Sequence, residues 1–197
     1  MCFSATFWNE KYQNNETGWD LKSASRPLKE YFDQIENKNI KILIPGCGNA
    51  YEAEYLLEQG FQDITLVDIS EVVVKNLQEK FSDFSQIQVL NQDFFTINST
   101  YDLVIEQTFF CALNPNLREK YVKKMNEIIH ENGKLVGVLF NKNFGNDFPP
   151  FGGNKDEYQR LFEPYFNFNT FEACYNSIKP RSGSELFIHL TPIKKEI

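Results

Sequence analysis

Three short stretches carry residues whose types and spacing suit a nucleoside. In Pro45-Gly46-Cys47-Gly48, the two glycines remove the side chains that would keep a ligand off the backbone. Asp68 follows Gly46 by 22 residues, near the spacing of about 20 at which an acid meets ribose hydroxyls. A carboxylate suits that place because two vicinal hydroxyls offer two donors to its two oxygens. Asp93-Phe94 then pairs an acceptor for an exocyclic amine with a flat ring on which a base can stack. Taken singly, these are also a tight turn, a solvated strand end and a loop. Their order is what points to a ligand.

The elements that must position them follow from the hydrophobic pattern. Ile40, Ile42, Leu43 and Ile44 form an apolar run closed by Pro45-Gly46, as a buried parallel strand does. Residues 51–58 are helix-prone, and Gly60 stands where a C′ glycine would. Residues 64–68 read as a second strand ending on the carboxylate. Ser70 then caps a helix through Val73, Val74, Leu77 and Phe81. Residues 87–90 and 101–106 read as the third and fourth strands. The fourth runs into Gln107-Thr108-Phe109-Phe110-Cys111-Ala112-Leu113.

Beyond it, Pro115 is expected to open a helix that reaches His130 and stops at Gly133, with 135–140 as a fifth strand. His130, beside that helix end, reads as solvated or paired with the helix dipole. Residues 141–153 form a long loop of a kind that is usually functional or mobile. A short helix over 156–162 and strands near 165–176 and 184–191 complete the pattern. Upstream, Ser23 or Ser25 caps a helix with Pro27 in its first turn and Leu28, Tyr31, Phe32 and Ile35 on its buried face. In residues 1–22, Trp8, Tyr12 and Trp19 are four and seven residues apart, so a helix would set them on one face. They pin an arm to the core or close it over a ligand. Strands and helices in alternation predict an α/β fold, a doubly wound and mostly parallel sheet.

At 197 residues the chain fits one domain, 1–197, with 1–22 as an N-terminal arm. A net charge of -7 and a pI near 5.0 leave no basic footprint for a nucleic-acid backbone. No apolar run approaches the roughly 20 residues that span a membrane. The first residues lack the basic start and long apolar core of a signal peptide. Cys2, Cys47, Cys111 and Cys174 have no paired metal spacing and read as free thiols in a reducing, cytoplasmic setting.

The ligand class narrows by exclusion. The third glycine of a dinucleotide fingerprint is replaced by Tyr51, and no Walker lysine is present. A glycine turn without a phosphate signature, a ribose acid and an acid-aromatic loop suit S-adenosylmethionine (SAM), which has ribose and adenine but no phosphates.

Four pieces in order carry a closer likeness: Thr17-Gly18-Trp19-Asp20, Pro45-Gly46-Cys47-Gly48, the run from Glu106 to Leu113, and Pro149-Pro150-Phe151. With them the chain resembles the thiopurine S-methyltransferase family, which also contains thiol and halide methyltransferases. The resemblance covers nearly the whole chain. It implies a Rossmann-like class I methyltransferase sheet of seven strands with the last antiparallel. It also implies cofactor contacts from Trp8, Tyr12 and Trp19, from Gly46 and Gly48, from Asp68 to ribose, from Asp93 and Phe94 to adenine, and from Gln107. Tyr12 stands where many relatives have tryptophan, Gln107 where plant-type relatives often have tyrosine, and Phe148 where a glycine usually precedes the Pro-Pro pair.

Phe110, Phe144 and Phe151 are candidates for the apolar wall of an acceptor site, or for plain core packing. Arg181 is either a surface arginine or one that favours a bound anion. Cys111 reads as a small buried residue, because direct displacement needs no covalent intermediate with the enzyme. No acid or base is required, since a thiol of pKa about 8.5 is already partly thiolate near neutrality. The expected function is methyl transfer from SAM to a small thiol, by a chain for which a monomer suffices. The alternatives are a halide or other small-molecule acceptor, and a SAM-binding module without catalysis.

Overall fold

The computed structural model describes residues 3–194, so Cys2 lies outside the described residues. Within them, the apolar runs become the strands β1 (Lys41–Pro45), β2 (Asp63–Asp68), β3 (Ile87–Asn91), β4 (Tyr101–Gln107), β5 (Ile129–Phe140), β6 (Phe166–Ala173) and β7 (Glu185–Pro192). They form one sheet in the order β3-β2-β1-β4-β5-β7-β6. Neighbours among β1 to β5 pair in parallel, and β7 runs antiparallel to both β5 and β6. The strand order reverses between β1 and β4. In such sheets ligands bind outside the carboxyl ends of the strands at that switch point.

Helices α1 (Ala5–Gln13), α2 (Arg26–Phe32), α3 (Tyr51–Glu58), α4 (Glu71–Lys80), α5 (Arg118–Ile128) and α6 (Lys155–Phe162) accompany the sheet. Successive strand residues point to opposite faces, and both faces are buried. Ile42, Ile44, Leu103 and Ile105 pack with Leu28, Phe32, Leu56 and Leu77. Leu43 and Val104 pack with Tyr121, Met125, Tyr158 and Phe162. This explains why the parallel strands read as continuous apolar runs rather than alternating ones.

Local signals set several boundaries as expected. Ser70 accepts the Val73 N–H at 3.3 Å, and Gly60 ends α3 at φ +85°. Ser25 occupies the cap position of α2, but its side chain makes no cap bond; its N–H instead donates to Glu52 at 2.9 Å.

Two expectations are corrected. The helix after Pro115 begins as a 3-10 turn, Pro115–Leu117, and α5 ends at Ile128, so His130 is an exposed residue of β5. Gly133 does not stop a helix. A Cβ there would lie 2.9 and 3.0 Å from the carbonyl oxygens of Tyr101 and Asp102, so the glycine lets β5 approach β4. Likewise α1 ends at Gln13, and the chain turns back through Asn15 (φ +56°) to return Trp19 to the arm. Trp19 then meets Trp8 and Tyr12 at 5.6 and 5.9 Å between ring centroids.

Buried Arg118 anchors the end of the 141–153 loop. It donates to the Glu157 carboxylate and to the Gly152 carbonyl, and lies over the Phe110 ring. Arg118→Met should lower stability by about 2–4 kcal/mol, because it strands a partly buried carboxylate and carbonyl. A urea unfolding midpoint equal to that of the parent would refute this anchoring role.

Candidate active site

The carboxyl ends of β1, β2 and β4 open into a cavity of about 810 Å³, within the range of small-molecule sites. The arm roofs it, with Phe3, Trp8, Tyr12 and Trp19 on its lining. Hydrogen bonds at Asn9, Trp19 and Asp20 hold the arm down. Asn9 Oδ1 accepts the Ser70 hydroxyl at 2.7 Å. Asp20 accepts from Asn49 Nδ2 at 2.7 Å and from the Tyr51 hydroxyl at 3.2 Å. Arg181 Nη2 donates to the Trp19 carbonyl at 2.9 Å.

The cavity floor is the glycine turn. Gly46 and Gly48 have φ of +56° and +51°, where a side chain is strained. A Cβ on Gly46 would lie 2.2 Å from the Phe109 ring, and one on Gly48 would lie 2.7 Å from Tyr12 Oη. Ala50 is also left-handed, at φ +56°. The turn therefore coils tightly, and its two glycines leave room for the Phe109 ring and the Tyr12 hydroxyl at the cavity floor.

Asp68 stands beside it at the end of β2, buried. Oδ2 accepts the Gly48 N–H at 3.1 Å and Oδ1 the Ser70 N–H at 2.9 Å. Burial pushes its carboxyl above the usual range, against the pull of these backbone donors. Each oxygen keeps a further lone pair for a hydroxyl donor. Asp93 also borders the cavity; its Oδ1 accepts the Phe95 N–H at 2.9 Å. Phe94 borders it too, with its ring 5.2 Å from that of Phe109. Gln107, at the end of β4, brings a buried Oε1 that has no hydrogen-bond partner among the described residues. An unpaired buried acceptor calls for an explanation, and this one belongs to a residue of the cavity lining that could accept from a ligand donor.

Phe140, Phe144, Pro149 and Pro150 line the other end, below β5 and the 141–153 loop, together with Lys142 and Arg181. The Phe140 and Phe144 rings meet edge-on at 5.0 Å. Arg181 is not a surface arginine. It is buried, bonded to Glu185 at 3.2 Å and stacked over Phe140 at 5.2 Å. Asp20, Glu52, Asp68 and Asp93 are the acids on the lining, and Lys142 and Arg181 its cations.

Phe110 and Phe151 are not on the cavity lining. In the 3-10 turn Phe110–Ala112 the side chain of Phe110 enters the core against Tyr121, Tyr158 and Phe162, and its neighbour Phe109 takes the cavity position. Phe151 is buried against Phe3 at 5.6 Å, with its N–H on the Cys111 carbonyl. The two prolines before it line the site instead.

Sequence reasoning missed Phe109, Phe140, Lys142 and Glu106. The run of aromatics marked the region, but not which ring faces which side. Glu106 is fully buried, accepts from two backbone N–H groups and from the Tyr121 hydroxyl, and burial lifts its carboxyl to about 7. The folded state therefore holds this proton more tightly than the unfolded chain. Its penalty is absent below the ordinary carboxyl range and develops as pH rises from about 4.5 to 7. Glu106→Gln should raise the melting temperature by roughly 5 °C at pH 8 and leave it little changed at pH 4.5. Equal shifts at both pH values would contradict a charge buried at neutrality.

Cys111 is buried and donates its thiol to the Thr108 carbonyl at 3.2 Å; burial and nearby Glu106 push it up to about 12. Burial and Asp68 push Cys47 up as well. Both cavity cysteines are therefore held as neutral thiols rather than nucleophiles.

Comparison with known proteins bears on the fold and the family. In fold, the chain is similar to the 1,6-didemethyltoxoflavin-N1-methyltransferase of Burkholderia thailandensis, solved with S-adenosylhomocysteine. The TM-score is 0.76 at 14% identity, covering 97% of this chain and 87% of that one. A TehB-like SAM-dependent methyltransferase from Corynebacterium glutamicum gives a TM-score of 0.68 at 15% identity, covering 96% and 98%. In sequence it is 26% identical to a probable thiol methyltransferase 2 of Arabidopsis thaliana, over 90% of this chain and 81% of that protein. It is 24% identical to a thiopurine S-methyltransferase of Vibrio parahaemolyticus, over 81% and 82%. The sequence pattern of the thiopurine S-methyltransferase family matches residues 3–187. The chain belongs to that family of SAM-dependent methyltransferases.

Proposed function

We propose that the chain works as one unit that methylates a small thiol from SAM, with residues 1–22 closed over the cofactor. The observation that carries this reading is the convergence, in one cavity, of the glycine turn, Asp68 and the unpartnered Gln107 Oε1. A ribose diol, an adenine amine and an ammonium group are all donors, and Asp68, Asp93 and Gln107 are all acceptors. The residues present fit the cofactor. Asp68 would take the ribose, Asp93 and Phe94 the adenine, and Gln107 with Trp8, Tyr12 and Trp19 the remainder.

Bound there, SAM supplies a methyl group already activated on a sulfonium sulfur. The chain then has to exclude water, desolvate the nucleophile and hold it in line. Phe140, Phe144, Pro149 and Pro150 form an apolar wall suited to that task. Lys142 adds a cation on the lining, and Arg181 a second one partly neutralised by Glu185. Together they favour the thiolate over the thiol. No side chain need abstract the proton, because the thiolate is already present near neutral pH.

The test is methyl transfer from labelled SAM to a panel of small thiols, thiopurines, iodide and phenols, read by S-adenosylhomocysteine release. Turnover confined to thiols is the expected result. Turnover of iodide alone would replace the thiol with a halide. Tight SAM binding without turnover on a broad panel would favour a non-catalytic module. No helix among the described residues is long and apolar enough to cross a membrane; a cytoplasmic site is part of the proposal, resting on Cys47, Cys111 and Cys174, the free cysteines among the described residues.

A further inference from the structure

The turn after β4 is held by a carboxylate that reaches neither solvent nor the main cavity. Glu106 Oε1 accepts the N–H groups of both Phe109 and Phe110 at 2.9 Å, and Oε2 accepts the Tyr121 hydroxyl at 2.6 Å. β5 makes room for it. A Cβ on Gly137 would lie 2.2 Å from the Glu106 carbonyl oxygen and 2.5 Å from its Cβ. An apolar side chain of similar volume would fill the space without desolvating a charge.

Two residues on, Thr108 has φ +58°. A β-branched residue avoids that conformation, which persists only where its surroundings over-determine it. The two amides gripped just after it supply the constraint. The effects reach the cavity directly. Phe109 closes against the glycine turn at Gly46 and against Phe94, while Gln107, Thr108 and Cys111 form the adjoining wall.

Resting on the reading of this cavity as a cofactor site, we propose that Glu106 is a positioning residue. By gripping two consecutive amides it sets the 107–111 turn so that Phe109 seals the glycine turn and Gln107 stands at the cofactor. The carboxylate is kept for the shape of the site, at a cost to the stability of the fold.

The test measures S-adenosylhomocysteine affinity by calorimetry, and melting temperature, on variants of the full chain. Glu106→Met removes the acceptor for both amides and should weaken binding at least about tenfold. Glu106→Gln keeps one acceptor oxygen and should retain affinity within about fivefold, a rescue by the conservative change. Tyr121→Phe removes only the donor at Oε2; it should lower the melting temperature while affinity stays within about twofold. Affinity would then follow the grip on the amides rather than stability.

Parent-like affinity in Glu106→Met, or equal losses in Glu106→Met and Tyr121→Phe, would overturn the proposal. If Glu106→Met does not fold, Glu106→Asp decides, since it keeps the charge but withdraws it from the two amides. A loss of at least about fivefold there supports the proposal, and parent-like affinity overturns it. Failure of the parent chain itself to bind would overturn the cofactor reading, and this proposal with it.

Discussion

Asp68→Ala should weaken S-adenosylhomocysteine binding by on the order of 10²–10³-fold while the protein stays folded. The magnitude is that of removing one partner of a buried, charged hydrogen-bond pair, roughly 3–4 kcal/mol. The fold should survive because two effects oppose each other. The Gly48 and Ser70 amides lose their acceptor, but a carboxylate that burial already disfavours is also removed. Asp68→Asn, which keeps the shape and one acceptor oxygen, should fall between the two. Calorimetry is the check. Parent-like affinity in a folded Asp68→Ala would mean that the ribose site lies elsewhere.

Gly46→Ala should damage both fold and binding. The added Cβ must occupy a left-handed backbone position, at about 1–2 kcal/mol, and must also displace the Phe109 ring, 2.2 Å away. Overpacking of that kind adds about 1–3 kcal/mol. A total of about 2–5 kcal/mol in urea unfolding is expected, with binding weakened at least about thirtyfold because the floor of the cavity moves. Gly60→Ala is the matched control. Its φ of +85° is as strained, but nothing lies within 4 Å of the new Cβ. It should lose stability and keep affinity. Equal affinities in the two variants would separate the glycine turn from the cofactor.

Much of the site was legible from the chain alone, wherever the signal was local. The run 40–44 closed by Pro45-Gly46, the acid ending 64–68 and the cap at Ser70 depend on a few neighbouring residues, and the structure has them so. Family likeness added the arm, which composition had left open between packing and closure. The failures were equally specific. Running the helix from Pro115 to His130 with Gly133 as its stop misjudged a glycine whose role is set by β4, a strand some 30 residues earlier. Choosing Phe110 rather than Phe109 for the cavity wall came from a turn with no period to indicate which ring points inward.

What the sequence determined by itself was the order of strand, glycine turn and helix, and with it the placing of the candidate site at the carboxyl edge of a parallel sheet. Backbone sterics and hydrophobic period act over short stretches, so they can be read residue by residue. The tertiary structure alone decided the burial of Glu106 under two amides and the reach of Arg181 to the Trp19 carbonyl, 162 residues away. It also decided that Lys142 and Arg181 share one cavity lining with Asp68 and Asp93. Those depend on which surfaces the packed elements bring together, and a charged side chain carries no local sign of whether it will meet water or a partner.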